Sequence, residues 1–124
     1  CGSLLFARHR DIGITATVAT NGYKLFDGTR DNLGWTCVAK EGKFFEMDLT
    51  KIKPTISKLV VYGFQIDDMA LKVRVGGELS VPAIKETKNE QFSKTFLFDE
   101  PICPDALRLE FGERRVELYE IEAF

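Results

Sequence analysis

The chain has 124 residues, of which 44% are hydrophobic and 29% are charged, and its formal net charge is −2 at pH 7. This size and composition predict one soluble globular domain over residues 1–124, with enough apolar residues to bury a core without disulfides or metals. The nearly balanced charge argues against a nucleic-acid partner, and no apolar run reaches the roughly 18–20 residues that a membrane span requires. Residues 1–3 are interpreted as a cloning remnant or a processed end.

Apolar and polar residues alternate along most of the chain, and no segment has the apolar spacing of an amphipathic helix. This pattern predicts an all-β fold, an antiparallel β-sandwich of about eight strands. In chain order, the predicted strands are 11–18, 43–49, 57–64, 70–75, 78–84, 91–98, 106–111 and 115–124.

The connections between these strands carry their own signals. Gly76-Gly77 and Gly112-Glu113 are each expected to turn a hairpin between neighbouring strands. Pro82 is expected to place strand 78–84 at a sheet edge, because proline cannot donate to a ladder. The polar segment 85–91 is expected to be a mobile loop. In each strand, the alternate positions that carry apolar residues are expected to face the core. The core is therefore predicted to contain Phe45, Met47, Val60, Tyr62, Val73, Leu109 and Leu118.

The three cysteines are Cys1, Cys37 and Cys103, and their spacing matches neither a metal site nor a disulfide framework. Two reduced thiols at Cys37 and Cys103 are the favoured interpretation. A bridge from Cys103 to Cys1 or to Cys37 is the alternative. The cysteines therefore leave the redox compartment open.

Five short motifs follow one another along the chain. They are Leu25-Phe26-Asp27-Gly28 leading to Trp35-Thr36, the aromatic segment 44–49, the apolar segment 56–63, Leu107-Arg108-Leu109, and the terminal Leu118-Tyr119-Glu120-Ile121-Glu122. In this order they resemble the discoidin or coagulation-factor C-type domain, within the galactose-binding-like β-sandwich superfamily. The resemblance covers nearly the whole chain and implies a jelly-roll sandwich with ligand-binding loops at one end. The chain is shorter than is usual for that family, which implies that some of those loops are short.

The resemblance also implies a structural calcium site. Its ligands would be Asp27, Thr29, Asp31 or Asn32, and Glu120 of the last strand, and calcium prefers such oxygen ligands. Thr29 occupies a position where the family often has an acidic residue. The alternative interpretation is a plain Asp-Gly turn in which the aspartate caps its own backbone. If the family mapping holds, Asp27 and Glu120 approach each other.

A carbohydrate site on the loops near the first turn is the second implication. The expected contacts are Arg30 and Tyr23, with His9 as a weaker one, because a guanidinium donates to two hydroxyls and an aromatic ring suits a pyranose face. The alternatives are an exposed polar role for His9 and a core position, rather than a ligand-stacking one, for Trp35.

No catalytic constellation is present in the sequence. His9 is the only histidine, and no phosphate loop or dinucleotide fingerprint occurs. The expected function is a non-catalytic module that binds carbohydrate and is appended to a larger secreted or surface protein. A protein-interaction or structural module of the same fold, in a viral, tail or intracellular assembly, is the alternative. Segment 47–52 also suggests a calcium-binding tellurium-resistance sandwich, although the aspartate-rich run of that family is missing.

Overall fold

The computed structural model describes residues 5, 11–17, 35–37 and 42–124. Within these residues two five-stranded antiparallel sheets form, so the predicted all-β sandwich is confirmed. In chain order, the strands are β1 Gly13–Ala16, β2 Trp35–Cys37, β3 Phe44–Asp48, β4 Ile56–Phe64, β5 Ala70–Val75, β6 Glu78–Ser80, β7 Ile84–Asn89, β8 Ser93–Ile102, β9 Ala106–Glu110 and β10 Val116–Ala123.

The two sheets are named here after their central strands. The β9 sheet has the order β1-β3-β9-β5-β6, and the β4 sheet has the order β2-β10-β4-β8-β7. In the described part of the chain, no helix has the length and apolarity that crossing a bilayer requires.

The core lies between the sheets and follows from strand alternation, because every second side chain points to the same face. Phe45, Met47, Leu107 and Leu109 of the β9 sheet are fully buried there. Trp35 is 2% exposed, and its ring centroid lies 5.5 Å from that of Phe45. Trp35 is therefore a core residue rather than an exposed aromatic plate.

The alternation of apolar and polar residues predicted the positions of several strands correctly. The predicted strands 43–49, 70–75 and 106–111 correspond to β3, β5 and β9. β5 and β6 pair as the predicted hairpin, with positive φ angles of 60° at Gly76 and 86° at Gly77. Both angles lie in the region that favours glycine, which is why a Gly-Gly pair is found at this turn.

The prediction that Tyr62 lies in the core is wrong. In β4 the core positions are Leu59 and Val61, and Tyr62 is half-buried on the opposite face. Val60 is buried as predicted, but it lies on the same outer face as Tyr62. The run from Leu59 to Tyr62 is apolar throughout, so its sequence carries no parity signal.

Two predictions about connections are also wrong, and one strand is shorter than predicted. The segment 85–91 is mostly strand β7, a polar strand paired with β8, rather than a loop. The predicted strand 78–84 ends at Ser80 as β6, which lies at an edge of the β9 sheet as expected, and Pro82 lies where the chain crosses to the other sheet. Gly112-Glu113 likewise lies in a crossing between β9 and β10, which belong to different sheets, and forms no hairpin.

Cys103 carries a free, exposed thiol. Its Sγ atom lies 3.6 Å from the backbone oxygen of Lys53 and donates to it. Neither alternative disulfide of Cys103 is formed.

Candidate functional site

Three connections meet at one end of the sandwich, called here the Arg114 end. Residues 65–69 and 111–115 cross from one sheet to the other, and residues 90–92 join β7 to β8. Arg114 Nη2 lies 2.6 Å from Asp67 Oδ1 and 3.6 Å from Asp68 Oδ2. The Lys43 ammonium donates to the backbone oxygen of Arg114. The hydrogen bond from Arg114 is the main reason that the pKa of Asp67 lies below its usual value.

Two further contacts fix the 65–69 connection. Lys94 Nζ is buried and donates to the backbone oxygens of Asp67 at 2.6 Å and Met69 at 3.0 Å. Burial lowers the pKa of Lys94, against the opposing charges of Asp67 and Asp68. A side chain on Gly112 would overlap the Asp68 carboxylate, which would have to move to make room, so the two connections approach each other closely here.

An exposed aromatic pair lies at the same end, on the outer side of the β4 sheet. Phe64 and Phe92 are 40% and 48% exposed, and their ring centroids are 6.5 Å apart. The backbone N–H of Gly63 donates to the oxygen of Phe92 at 2.9 Å, which holds the turn carrying Phe92 against β4. The backbone that carries Phe92 is therefore held beside Phe64, and both rings are open to solvent.

Polar groups flank this Phe64–Phe92 pair. Glu117 lies directly opposite Phe64 in the ladder between β10 and β4. Its carboxylate accepts a hydrogen bond from the Tyr119 hydroxyl at 2.8 Å and lies 3.3 Å from Arg115 Nη2. Burial, followed by the bond to Glu117, raises the pKa of Tyr119. Aromatic area and hydrogen-bonding groups thus occur side by side.

Most of the site residues predicted from the sequence lie outside the described residues. These are Asp27, Thr29, Asp31 and Asn32 of the calcium site and Arg30, Tyr23 and His9 of the ligand site. The predicted approach of Asp27 to Glu120 is therefore untested. In the described part of the chain, no three metal-binding side chains cluster.

Glu120 is the one predicted calcium ligand that the structure places. It lies in β10 opposite Tyr62, on the outer face of the β4 sheet, and is 1% exposed. A buried carboxylate is a suitable ligand for a hard cation such as calcium. The donor chemistry at this position therefore fits the predicted ion.

No family model matches the chain. No curated protein matches it either. Solved structures match over almost its whole length. The family 32 module of Clostridium perfringens NanJ, in complex with galactose, has a TM-score of 0.73 at 13% identity, covering 98% of this chain and 97% of that chain. This chain has the fold of the family 32 carbohydrate-binding modules.

Two further modules of Clostridium perfringens extend this comparison. CpGH89CBM32-6 has a TM-score of 0.71 at 18% identity, covering 91% of this chain and 92% of that one. CpGH89CBM32-5, in complex with GalNAc-β-1,3-galactose, has a TM-score of 0.68 at 17% identity, covering 93% and 96%. Identities this low establish a shared fold alone. The predicted discoidin-like, galactose-binding-like fold is confirmed.

Sequence reasoning missed the groups that the family 32 fold brings together at the Arg114 end. Phe64 and Phe92 are separated in the chain by three strands, β5, β6 and β7, and Arg114 is 47 residues from Asp67. No sequence signal was available for Phe64, because the preceding run from Leu59 to Tyr62 is apolar at every position and does not show which face of β4 points to the core.

Proposed function

We propose that this chain is a non-catalytic module that binds carbohydrate. The observation that carries the proposal is the family 32 fold, matched over nearly the full length of modules that include a galactose complex. A rigid sandwich that presents side chains at one end suits recognition rather than bond cleavage. We further propose that the module belongs to a larger secreted or surface-associated protein, as the sequence resemblance implies.

The proposed sugar-binding surface is centred on the Phe64–Phe92 pair. Exposed aromatic rings offer an apolar face to the C–H side of a pyranose, and the neighbouring Glu117 and Arg115 supply an acceptor and donors for hydroxyls. The ordered Asp67–Arg114 contact limits the entropy that binding costs. Arg30, Tyr23 and His9 remain proposed contacts from the sequence.

A glycan array, followed by titration calorimetry with galactose and GalNAc-β-1,3-galactose, tests this proposal. Phe92→Ala is expected to weaken sugar binding about 5-fold to 100-fold, if a sugar ring stacked on an aromatic side chain contributes as much as a stacked nucleobase, about 1–3 kcal/mol. The control is Val81→Ala, which trims an apolar residue that is 73% exposed in the connection between β6 and β7. Val81→Ala is expected to bind like the wild type.

Two outcomes would count against the proposal. Unchanged binding in Phe92→Ala would remove the aromatic pair from the site while leaving the function. No signal on a broad array, together with a defined protein partner in a pull-down, would replace the carbohydrate function with that of an assembly module.

We also propose a structural calcium ion held by Asp27, Thr29, Asp31 or Asn32, and Glu120. An ion that binds only the folded chain would raise the melting temperature by mass action. Calcium is expected to raise the melting temperature of the wild type and chelator to reverse it, whereas Glu120→Gln is expected to respond to neither. A wild-type melting temperature unaffected by calcium and by chelator would exclude the ion without affecting the fold.

A further inference from the structure

The outer face of the β9 sheet carries a connected set of charged side chains, called here the Arg108 network. Its members are Glu46, Lys72, Arg74, Arg108 and Glu110. Arg74 donates to both oxygens of Glu46 at 3.2 Å, and Arg108 Nη1 donates to Glu46 Oε1 at 3.2 Å. Arg108 Nε donates to Glu110 Oε2 at 2.8 Å, and Lys72 Nζ lies 2.9 Å from Glu110 Oε1.

Arg108 is held in a single orientation by three neighbours. Two carboxylates fix two edges of its guanidinium, and the Phe44 ring lies beneath it, with 4.0 Å between the guanidinium carbon and the ring centroid. Its Nη2 atom makes no hydrogen bond to the part of the chain that the structure describes. Among the described residues, one charged donor is therefore held in position without a hydrogen-bond acceptor, which lowers the entropic cost of binding a ligand there.

A pocket of about 220 Å³ lies beside this guanidinium, where the β9 sheet reaches the Arg114 end. The described residues that line it are Gly42, Lys43, Phe44, Arg108, Glu110 and Phe111. This volume is below the roughly 300–1,000 Å³ of pockets for drug-sized ligands, and it therefore suits one sugar ring rather than a chain. The lining combines an aromatic ring, a cationic donor and a carboxylate acceptor.

This pocket is called here the Phe44 pocket, and Gly42 lies at its rim. Its φ angle is 73°, and a side chain built there would meet nothing within 4 Å. The exposed backbone of Gly42 thus borders the pocket without a side chain in the way.

We propose that the Phe44 pocket is a second sugar-binding subsite, which takes a single neutral pyranose ring. This inference rests on the proposed carbohydrate function but uses the opposite sheet from the Phe64–Phe92 pair. Arg108 Nη2 donates to one ring hydroxyl, Glu110 accepts from another, and Phe44 contacts the apolar side of the ring. The module would then engage two sugar residues, one on each side of the same end.

The pairing of the charges in the pocket favours a neutral ring over an acidic sugar. Its two cations are already engaged, Lys43 with the backbone oxygen of Arg114 and Arg108 with the carboxylates of Glu46 and Glu110. Glu110 lines the pocket, and its hydrogen bonds to Lys72 and Arg108 keep its pKa below the usual value, so it is ionised at neutral pH. A sugar carboxylate would meet this negative charge. Hydroxyls, which both donate and accept, match the lining without that repulsion.

Amide chemical shifts in a titration with galactose test the second subsite. The expected result is a saturable shift of the Gly42 and Glu110 amides, separate from the shift of the Phe92 amide. Gly42→Asn places a side chain at the rim, and asparagine tolerates a positive φ. This variant is expected to abolish the shift at Glu110 while leaving the shift at Phe92. The matched control is Gly76→Asn, at an open position with a φ of 60° on the β5–β6 turn, which is expected to keep both shifts.

A second pair of variants tests the donor. Arg108→Lys keeps the charge but removes Nη2, and it is expected to weaken binding at the pocket about tenfold, the equivalent of one charge-assisted hydrogen bond. Arg74→Lys changes the same network away from the pocket and is expected to bind like the wild type.

The outcomes separate the two sites. Shifts at Phe92 but none at Gly42 or Glu110 would overturn the second subsite and leave the proposed function in place. Shifts confined to the Phe44 pocket would support the subsite and count against the aromatic pair. Binding of galacturonate in preference to galactose at the pocket would overturn the neutral class of ligand. No shift with either sugar would overturn the subsite.

Discussion

The two outer surfaces at the Arg114 end differ in how their side chains are partnered. On the β9 sheet, five charged side chains pair with one another, and Arg108 also covers the Phe44 ring. On the β4 sheet, the rings of Phe64 and Phe92 remain largely exposed to solvent. A paired surface is ordered before a ligand arrives and offers few unused groups. An exposed aromatic surface offers area that a ligand can cover, and it therefore supplies more of the affinity.

The same difference predicts how each surface contributes to stability. Partly exposed ion pairs contribute little individually, about 0–1 kcal/mol, because solvent screens them. The rings of Phe64 and Phe92 contribute less than core rings, because 40% and 48% of their area stays in water on folding. The stability of both surfaces therefore depends on the core between the sheets, and substitutions can separate these contributions.

The largest effect is expected in the shared core. Leu109→Ala should lower the free energy of unfolding by about 2–5 kcal/mol, because Leu109 is fully buried and the truncation leaves a cavity. Urea titration measures the loss. Leu79→Ala is the control on the neighbouring hairpin, where the side chain is exposed, and it should change stability by less than about 0.5 kcal/mol. A loss well under 1 kcal/mol for Leu109→Ala would remove that residue from the core.

The next largest effect is expected at Lys94, which binds the 65–69 connection at the Arg114 end and makes no contact with the Arg108 network among the described residues. Lys94→Met should cost about 1–3 kcal/mol, because the backbone oxygens of Asp67 and Met69 lose their buried donor. Hydrogen exchange should increase in residues 65–69 and not in the Arg108 network. Lys88→Met, on the exposed strand β7, is the matched control and should have no such effect. Equal behaviour of the two variants would show that Lys94 does not hold the connection.

Acid should affect the charged side first. Burial alone would raise the pKa of Glu46, but its bonds to Arg74 and Arg108 outweigh burial and lower it, and the bond from Lys72 lowers the pKa of Glu110. A folded-state pKa below the unfolded one means that the unfolded chain binds more protons, so stability falls as pH falls from about 5 through the folded values.

Glu46→Gln tests this acid dependence. At pH 7 it should cost about 1 kcal/mol or less, and the loss of stability between pH 5 and pH 3 should be smaller than in the wild type. Urea titrations at these pH values measure both quantities. Glu78→Gln, on the exposed strand β6 and outside the Arg108 network, is the matched control for the removal of one carboxylate. An unaltered pH profile in Glu46→Gln would mean that the network contributes no linked stability.

The smallest effect on stability is expected at Phe92. Phe92→Ala should lower the free energy of unfolding by about 1 kcal/mol or less, because its ring is half-buried, while Phe45→Ala, at a fully buried ring, should cost about 3–5 kcal/mol. Thermal and urea unfolding of the two variants provide the comparison. A large loss in Phe92→Ala would indicate a structural role for the ring and would make its effect on binding uninformative.

The face of a strand that points to the core was predictable wherever the opposite face is polar. β3 alternates Phe45 and Met47 with Glu46 and Asp48, and β9 alternates Leu107 and Leu109 with Arg108, so their faces were assigned correctly. The outer face of β4 is itself partly covered, and Val60 is buried there. Tyr62 was consequently assigned to the wrong face. β7 shows the opposite difficulty, because an edge strand with both faces exposed has no apolar residues to alternate.

The candidate site was less predictable, because distant segments build it. The contact between Arg114 and Asp67 depends on both connections crossing between the sheets, and Gly112-Glu113 resembles a hairpin turn in sequence. The Phe44 pocket similarly depends on the register that places Phe44 opposite Glu110. Local patterns identify strands, but these contacts follow from which sheet each strand joins.

The charged character of β7 affects how copies of the module behave when they are crowded. β7 is the outermost described strand on its side of the β4 sheet, and its side chains, including Lys85, Glu86 and Lys88, are exposed. An unpaired strand edge is a template for the strand of another molecule, and charged side chains along that edge oppose such pairing. The charged side chains of β7 therefore oppose strand pairing between copies of this chain, and each copy is expected to stay a separate folded unit at high concentration.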